Sequence, residues 1–198
     1  MKPIVLLGML AMASFSAHAA DDVLQPRAGI AAAFGSFSGD NSPPGVLSRI
    51  VDDDAVGFKV HGQYPLNSWL ALEAAYHDTG KFKTRKKPTD LSPGDPGQYE
   101  LSLDGWSAQA LVYIPEPIEG FQAYVKAGYY NFDDELSLDG MNLGSSSERG
   151  LVAGGGVLMA ISDSLALRAD FDWFDADVGD LTTVNLGLEY SFGGTAGK

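Results

Sequence analysis

Nine ionisable residues stand at spacings from which chemistry could be built: Lys59, His61, Glu73, His77, Lys126, Arg168, Asp170, Asp172 and Glu189. Opposite charges held away from water must pair, because an uncompensated buried charge is costly. The expected product is a network centred on Glu73, Lys126, Arg168 and Glu189, with Lys59, Asp170 and Asp172 beside it. Such a network can hold an interior shut, or gate a narrow ion path if its partners exchange. Hydrolysis is the other chemistry to weigh, since His77 with a nearby Ser and Glu73 supplies a nucleophile, a base and an orienting group. Neither His61 nor His77 lies in a recognisable hydrolase motif, so no catalytic residue is assigned and no enzyme is expected.

The acidic string Asp170, Asp172, Asp175, Asp177 and Asp180 offers oxygen ligands for a hard cation. It lacks the loop spacing of a dedicated calcium site, so neither a metal nor a cofactor is expected. Cysteine is absent, which removes disulfides and thiolate metal sites. The net charge of -13 argues against a nucleic-acid partner.

These residues need a scaffold, and the sequence supplies one by repetition. Residues 1–19 read as a secretory signal peptide: Lys2, an apolar run from Ile4 to Phe15, then Ala17-His18-Ala19 as a small-x-small cleavage pattern. That run is too short for a spanning helix, which needs about 20 residues. Eight runs of alternating apolar and polar residues follow, each ended by Gly, Pro, Asp or Ser: 27–38, 56–64, 70–79, 103–114, 121–132, 150–160, 165–174 and 181–192. In the seventh, Leu165, Leu167, Ala169, Phe171 and Trp173 share one face while Arg168, Asp170 and Asp172 share the other. Aromatics on the apolar faces sit at the run ends, with Tyr76, Trp106, Tyr129 and Trp173 at one end and Tyr64, Phe121, Tyr190 and Phe192 at the other. Connections alternate between short (65–69, 115–120, 161–164) and long (39–55, 81–100, 133–148).

Lipid offers no partner to an unpaired backbone group, so strands can cross it only in a closed barrel. Two aromatic girdles, even strand number and alternating loop lengths predict an all-β, eight-stranded antiparallel up-and-down transmembrane β-barrel, apolar outside and polar inside. The barrel domain is expected over 20–192, with 193–198 as a short periplasmic tail, periplasmic termini and extracellular long loops in a bacterial outer membrane. So narrow an interior is filled by side chains, so its charges should meet. If the last hairpin turns between Val178 and Gly179, Arg168 faces Glu189. If the turn after Ile114 centres between Pro117 and Ile118, Gln109 faces Lys126. In the second hairpin either Lys59 or His61 faces Glu73.

The stretches Ser68–Tyr76, Ala123–Tyr130, Leu165–Phe171 and Asn185–Phe192 resemble the small outer-membrane barrels of the OmpA-like transmembrane-domain family. The resemblance implies that architecture and insertion by the barrel-assembly machinery; because Gly193 to Lys198 follow the final aromatic, the assembly signal is expected to be internal. Members are structural, adhesive or weakly conducting, so the expected role is non-enzymatic and structural or surface-interacting, with a narrow channel as the alternative. Outer-membrane lipid and lipopolysaccharide are the expected partners, and the chain is expected to be a monomer. Lys81, Lys83, Arg85, Lys86 and Lys87 crowd five basic residues into seven positions, where they would meet lipopolysaccharide phosphates. Gly154-Gly155-Gly156 is no phosphate loop and is expected to allow close packing on a strand.

Overall fold

The computed structural model describes residues 25–38, 54–83, 99–114, 120–138, 141–175 and 180–193. Eight strands follow in order: β1 (Arg27–Ser38), β2 (Asp54–Pro65), β3 (Leu70–Lys83), β4 (Tyr99–Tyr113), β5 (Phe121–Leu138), β6 (Met141–Ala160), β7 (Leu165–Phe174) and β8 (Asp180–Ser191). Each pairs antiparallel with its sequence neighbour, and β1 pairs with β8, closing the sheet into a barrel. Closure removes both sheet edges over the barrel wall. The signal peptide, the tail 194–198, the segments 39–53, 84–98 and Asp177 lie outside the described residues.

Alternation does what the pattern demands. Along β8, Leu181, Thr183, Asn185 and Glu189 are buried while Val184, Leu186, Leu188 and Tyr190 are exposed. Large apolar side chains such as Ile30, Val125, Phe171 and Leu186 therefore cover the outside, and charge fills the inside. Trp106 and Tyr129 face outward near one rim; Tyr64, Trp69, Phe121, Tyr190 and Phe192 do so at the other. Tyr76 and Trp173 are half-buried in the same outward register. At the short-turn end Asn67 accepts the Trp69 and Leu70 amides through Oδ1 at 2.9 and 2.8 Å, an Asx turn that fixes the β2–β3 hairpin.

Two expectations about the long connections are corrected. Residues 133–148 are not an irregular loop: β5 runs on to Leu138, β6 starts at Met141, and the two stay paired throughout with one register shift near Leu136. Residues 81–100 are likewise strand at both ends, with Lys83 opposite Glu100. Above the girdle both faces of a strand meet water, so the apolar alternation disappears although the ladder continues. β3 carries a bulge between Asp78 and Lys81, where Gly80 has φ 77° and its amide bonds Asp78 Oδ1 at 2.8 Å. A Cβ on Gly80 would run into the Val56 backbone, so glycine is required there.

The expected facing pairs are also corrected. Arg168 lies opposite Gly187, Lys126 opposite Leu111, Gln109 opposite Gly128, and Glu73 opposite Gln63, while Lys59 lies opposite His77 and His61 opposite Ala75. Each ladder is displaced by an even number of residues from the expected one. Even displacements keep every side chain on its face, so inward residues stayed inward.

Candidate functional site

The barrel wall aims its charges at one level of the interior. β2 contributes Lys59 and His61, β3 Glu73 and His77, β5 Lys126, β7 Arg168, Asp170 and Asp172, and β8 Glu189; all are buried, Lys59 and Asp172 completely. Side chains from opposite walls reach one another across the axis, so pairing does not follow strand adjacency.

Arg168 is the hub. Its Nη2 meets Glu73 at 2.7 Å, its Nε meets Asp170 at 2.6 Å, and its Nη1 meets Glu189 at 2.9 Å. The planar guanidinium donates in several directions at once, which an ammonium point charge does not do with the same geometry. Its face lies 5.1 Å from the centre of the Tyr124 ring. Lys59 Nζ touches Glu73, Asp172 and Asp170 at 3.0, 3.2 and 3.4 Å. Lys126 Nζ touches Asp172 and Asp170 at 2.7 and 3.1 Å and reaches Glu73 at 4.0 Å. Asn185 adds neutral donors to Asp170 and Asp172, at 2.8 and 3.0 Å.

Glu189 marks the lower part of this cluster. It accepts from Gln63 at 3.2 Å and lies 3.1 Å from His61 Nε2 and 3.4 Å from Arg27 Nη1. Arg27 balances the charge. Three fully buried cations, Lys59, Lys126 and Arg168, face the four carboxylates of Glu73, Asp170, Asp172 and Glu189; Arg27, part-exposed at the short-turn mouth, is the fourth cation. Sequence reasoning missed Arg27, although its inward parity with Ala31 and Ala33 was the available signal. Gln63, Tyr113, Tyr124 and Asn185 were missed too. Tyr113 donates to Gln63 Oε1 at 2.7 Å and Tyr124 to Asp170 Oδ2 at 3.2 Å, closing polar valences the charges leave.

Room for this crowd comes from β6. Its inward positions are Val152, Gly154, Gly156 and Leu158, so the wall opposite Asp170 and Asp172 is bare backbone. A Cβ on Gly156 would collide with Tyr124 Oη, the Ala169 carbonyl and Asp170 Cβ, and one on Gly154 would strike the Phe171 carbonyl. Gly156→Val is therefore expected to displace the Tyr124–Asp170 contact and destabilise the barrel by roughly 1–3 kcal/mol. The urea midpoint of unfolding from lipid vesicles measures this; an unchanged midpoint would refute it.

Apolar layers close the charged level on both sides. Towards the long-connection end, Phe82, Leu101, Leu103, Tyr130, Phe132, Phe174 and Leu181 form one cluster, with Phe132 and Phe174 rings 5.0 Å apart. Towards the short turns, Ala71, Leu111, Tyr113, Tyr124 and Leu158 form another. His77 sits beneath the first plug, 5.4 Å from the Phe174 ring, with Nε2 2.9 Å from Ser107 Oγ. That is the Ser neighbour a hydrolytic reading requires, but both groups are buried inside the plugged interior, facing neither lipid nor solvent. Of the acidic string, Asp170 and Asp172 are held by cations, and Asp175 and Asp180 are exposed at the rim.

Of the basic cluster, Lys81 and Lys83 are exposed on the outward face above the bulge, and Arg85, Lys86 and Lys87 lie outside the described residues. Lys81 Nζ meets Glu100 at 2.8 Å and Lys83 at 3.7 Å. The hydrogen bond from Lys81 holds the Glu100 carboxyl below its ordinary range and the Lys81 ammonium above its own. A carboxylate held low stays ionised further into acid, so this pairing persists where free glutamates begin to protonate. Lys81, Lys83 and Glu100 thus carry one net positive charge between them, not two.

An antiparallel barrel with an apolar outer face, aromatic girdles and ionised side chains on its axis is built for lipid outside, and defines a transmembrane β-barrel of the bacterial outer-membrane type. Residues 6–192 match the family described as outer membrane protein beta-barrel domain, and the chain belongs to that family. Among solved structures it is similar to Neisserial surface protein A, at 17% identity and a TM-score of 0.60, covering 84% of this chain and 97% of that one. It is also similar to Ail, the attachment invasion locus protein of Yersinia pestis, in complex with the heparin analogue sucrose octasulfate, at 17% identity and a TM-score of 0.59, covering 86% and 99%. The N-terminal β-barrel domain of Pseudomonas aeruginosa OprF gives 16% identity and a TM-score of 0.52, covering 85% and 99%. No curated protein sequence matches the chain.

Proposed function

We propose that this protein is a non-enzymatic, non-conducting barrel that supports the outer membrane and presents its longer strands for surface interaction. In this reading the leader is removed after Ala19, the barrel-assembly machinery inserts the chain as a monomer, the termini lie in the periplasm and the long-connection end is extracellular. The observation that carries it is the interior: a level of three buried cations and four carboxylates packed between two apolar plugs, with Arg27 at the short-turn mouth as the fourth cation. An ion crossing such an interior would have to displace a charge partner and then pass packed rings and aliphatic side chains whose few hydroxyls, those of Tyr113, Tyr124 and Tyr130, are already engaged in hydrogen bonds and do not replace its hydration.

Planar-bilayer recording of the purified protein is the test. No discrete conductance steps are expected, in wild type or in Arg168→Ala, whose loss should appear as lower stability. The second reading, a narrow gated channel, is favoured by one observation: Asp170 is shared among Lys59, Lys126 and Arg168, so partners could exchange. Steps in wild type that Arg168→Ala enlarges would establish the channel and remove the structural reading.

At the outer rim, Lys81 and Lys83 with Arg85, Lys86 and Lys87 are proposed to meet lipopolysaccharide phosphates. Because Glu100 neutralises part of this patch, Glu100→Gln is expected to strengthen adhesion to lipopolysaccharide vesicles at low salt, with the gain vanishing at high salt. Co-flotation at two ionic strengths checks this, and unchanged or weaker adhesion of the variant counts against it.

A further inference from the structure

The lipid-facing wall is not evenly bulky. Tyr64, Leu72, Ala110, Ala127, Ala153 and Trp173 lie side by side in one row that crosses the sheet from β2 to β7. The adjacent outward row runs from Gly62 through Ala74 and Ala108 to Tyr129 and Leu151. Larger side chains flank the small ones, Tyr76 and Trp106 on one side, Val112 and Val125 on the other. The result is a diagonal trough of about 850 Å³. Five strand spacings give it a length of about 24 Å. It joins the short-turn girdle at Tyr64 to the long-connection girdle at Tyr129 and Trp173, and every outward side chain lining it is uncharged.

A cation stands at the long-connection end of this trough. Arg149 lies on β6 two residues beyond Leu151, shares its outward face, and pairs with Asn131 of β5 in the ladder. It is exposed, and among the described residues it makes no ion pair. Asp133, two residues further along β5, accepts from Ser147 Oγ at 2.7 Å, and Asp175 is exposed beyond β7; no ion pair joins either to Arg149.

In a bilayer such a trough has to be filled, because wall atoms facing a void lose their dispersion partners. A second barrel brings a convex wall, which would rest on the flanking rings and stop short of the alanines. A slender acyl chain follows the floor. Arg149 adds that the molecule owning the chain carries an anion at the same end, and a guanidinium pairs with phosphate oxygens in a two-bond fork. Tyr129 and Trp173 set amphipathic rings at that level, the arrangement suited to the boundary between acyl chains and headgroups.

We propose that the trough seats one acyl chain of a lipopolysaccharide molecule, with a phosphate of its lipid A held by Arg149. The inference deepens the lipopolysaccharide reading above and rests on it, but it uses Arg149 and the alanines of β3 to β6 where that reading uses the lysine cluster after Gly80.

The test reads Trp173 fluorescence in the full chain carrying Trp69→Phe and Trp106→Phe, which leaves it the sole tryptophan. The host vesicles are phosphatidylcholine brominated along its acyl chains, which quenches nearby indoles. Unbrominated lipid A is expected to displace the host beside Trp173 with at least about tenfold preference, the worth of one contact to a charged group. Ala127→Leu fills the floor with an apolar side chain and Arg149→Gln removes the cation, and each is expected to abolish the preference. Val184→Leu, on the lipid face of β8, is expected to leave it intact. Heat-modifiable migration checks that each variant is folded. Unbrominated phosphatidylglycerol is the competing source of phosphate and acyl chain, and an equal preference for it would overturn the assignment to lipopolysaccharide. No preference for lipid A, or one that survives either variant, would overturn the site itself. If the wild type then still co-floats with lipopolysaccharide vesicles, the trough alone is refuted; if it does not, the lysine contact falls as well.

Discussion

Replacing Arg168 by Met is expected to destabilise the folded barrel by about 3–5 kcal/mol, the usual cost of stranding buried charges by removing one partner. Arg168 contacts Glu73, Asp170 and Glu189 at 2.6–2.9 Å, and all three are buried. Lys59 and Lys126 can still serve Glu73 and Asp170, but among the described residues Glu189 retains only His61, Gln63 and the part-exposed Arg27. Methionine keeps much of the side-chain length, so the loss reports charge and hydrogen bonding more than a cavity. Urea titration of refolded protein, read by tryptophan fluorescence or by heat-modifiable migration, gives the number. A change below about 1 kcal/mol would mean that water already compensates these carboxylates, and the compensated-core account would be wrong.

Lys126→Met is expected to cost a similar 3–5 kcal/mol, and adding Asp172→Asn is expected to restore more than half of it. Lys126 and Asp172 meet at 2.7 Å, both fully shielded from solvent. Removing the cation alone leaves four carboxylates against three cations; removing both charges returns the level to balance. Asparagine keeps the shape of Asp172 and can still meet Asn185 and Lys59. The double-mutant cycle therefore separates charge balance from packing. If the double variant were as unstable as the sum of both single changes, the network would have to be read as a set of independent contacts.

The sequence made the side of each residue legible more readily than its neighbour. Lys59, Glu73, Lys126, Arg168 and Glu189 were placed inside from a two-residue period alone, and that period does not depend on where a hairpin turns. Which residue lies opposite which does depend on the turn, and a small error there moved Arg168 from its expected partner Glu189 to Gly187. In so narrow a barrel that error mattered little, because Arg168 reaches Glu189 along the axis even though the ladder sets them two positions apart. The aromatic plug of Tyr130, Phe132 and Phe174 stayed hidden because inward rings contradict the simple rule of polar inside and apolar outside. The continuation of β5 and β6 through residues 133–148 stayed hidden because strands bathed in water on both faces carry no alternating signal.

The seam between β1 and β8 joins the first strand to the last, so it closes the longest loop in the chain and should form late. Glu189 of β8 meets Arg27 of β1 and His61 and Gln63 of β2 across that seam. A sheet not yet zipped leaves this carboxylate solvated and the first two strands without their acidic counterpart. Folding into the bilayer is thereby made to finish abruptly: the step that shuts the wall is also the step that neutralises the axis, and half-closed cylinders gain little from lingering.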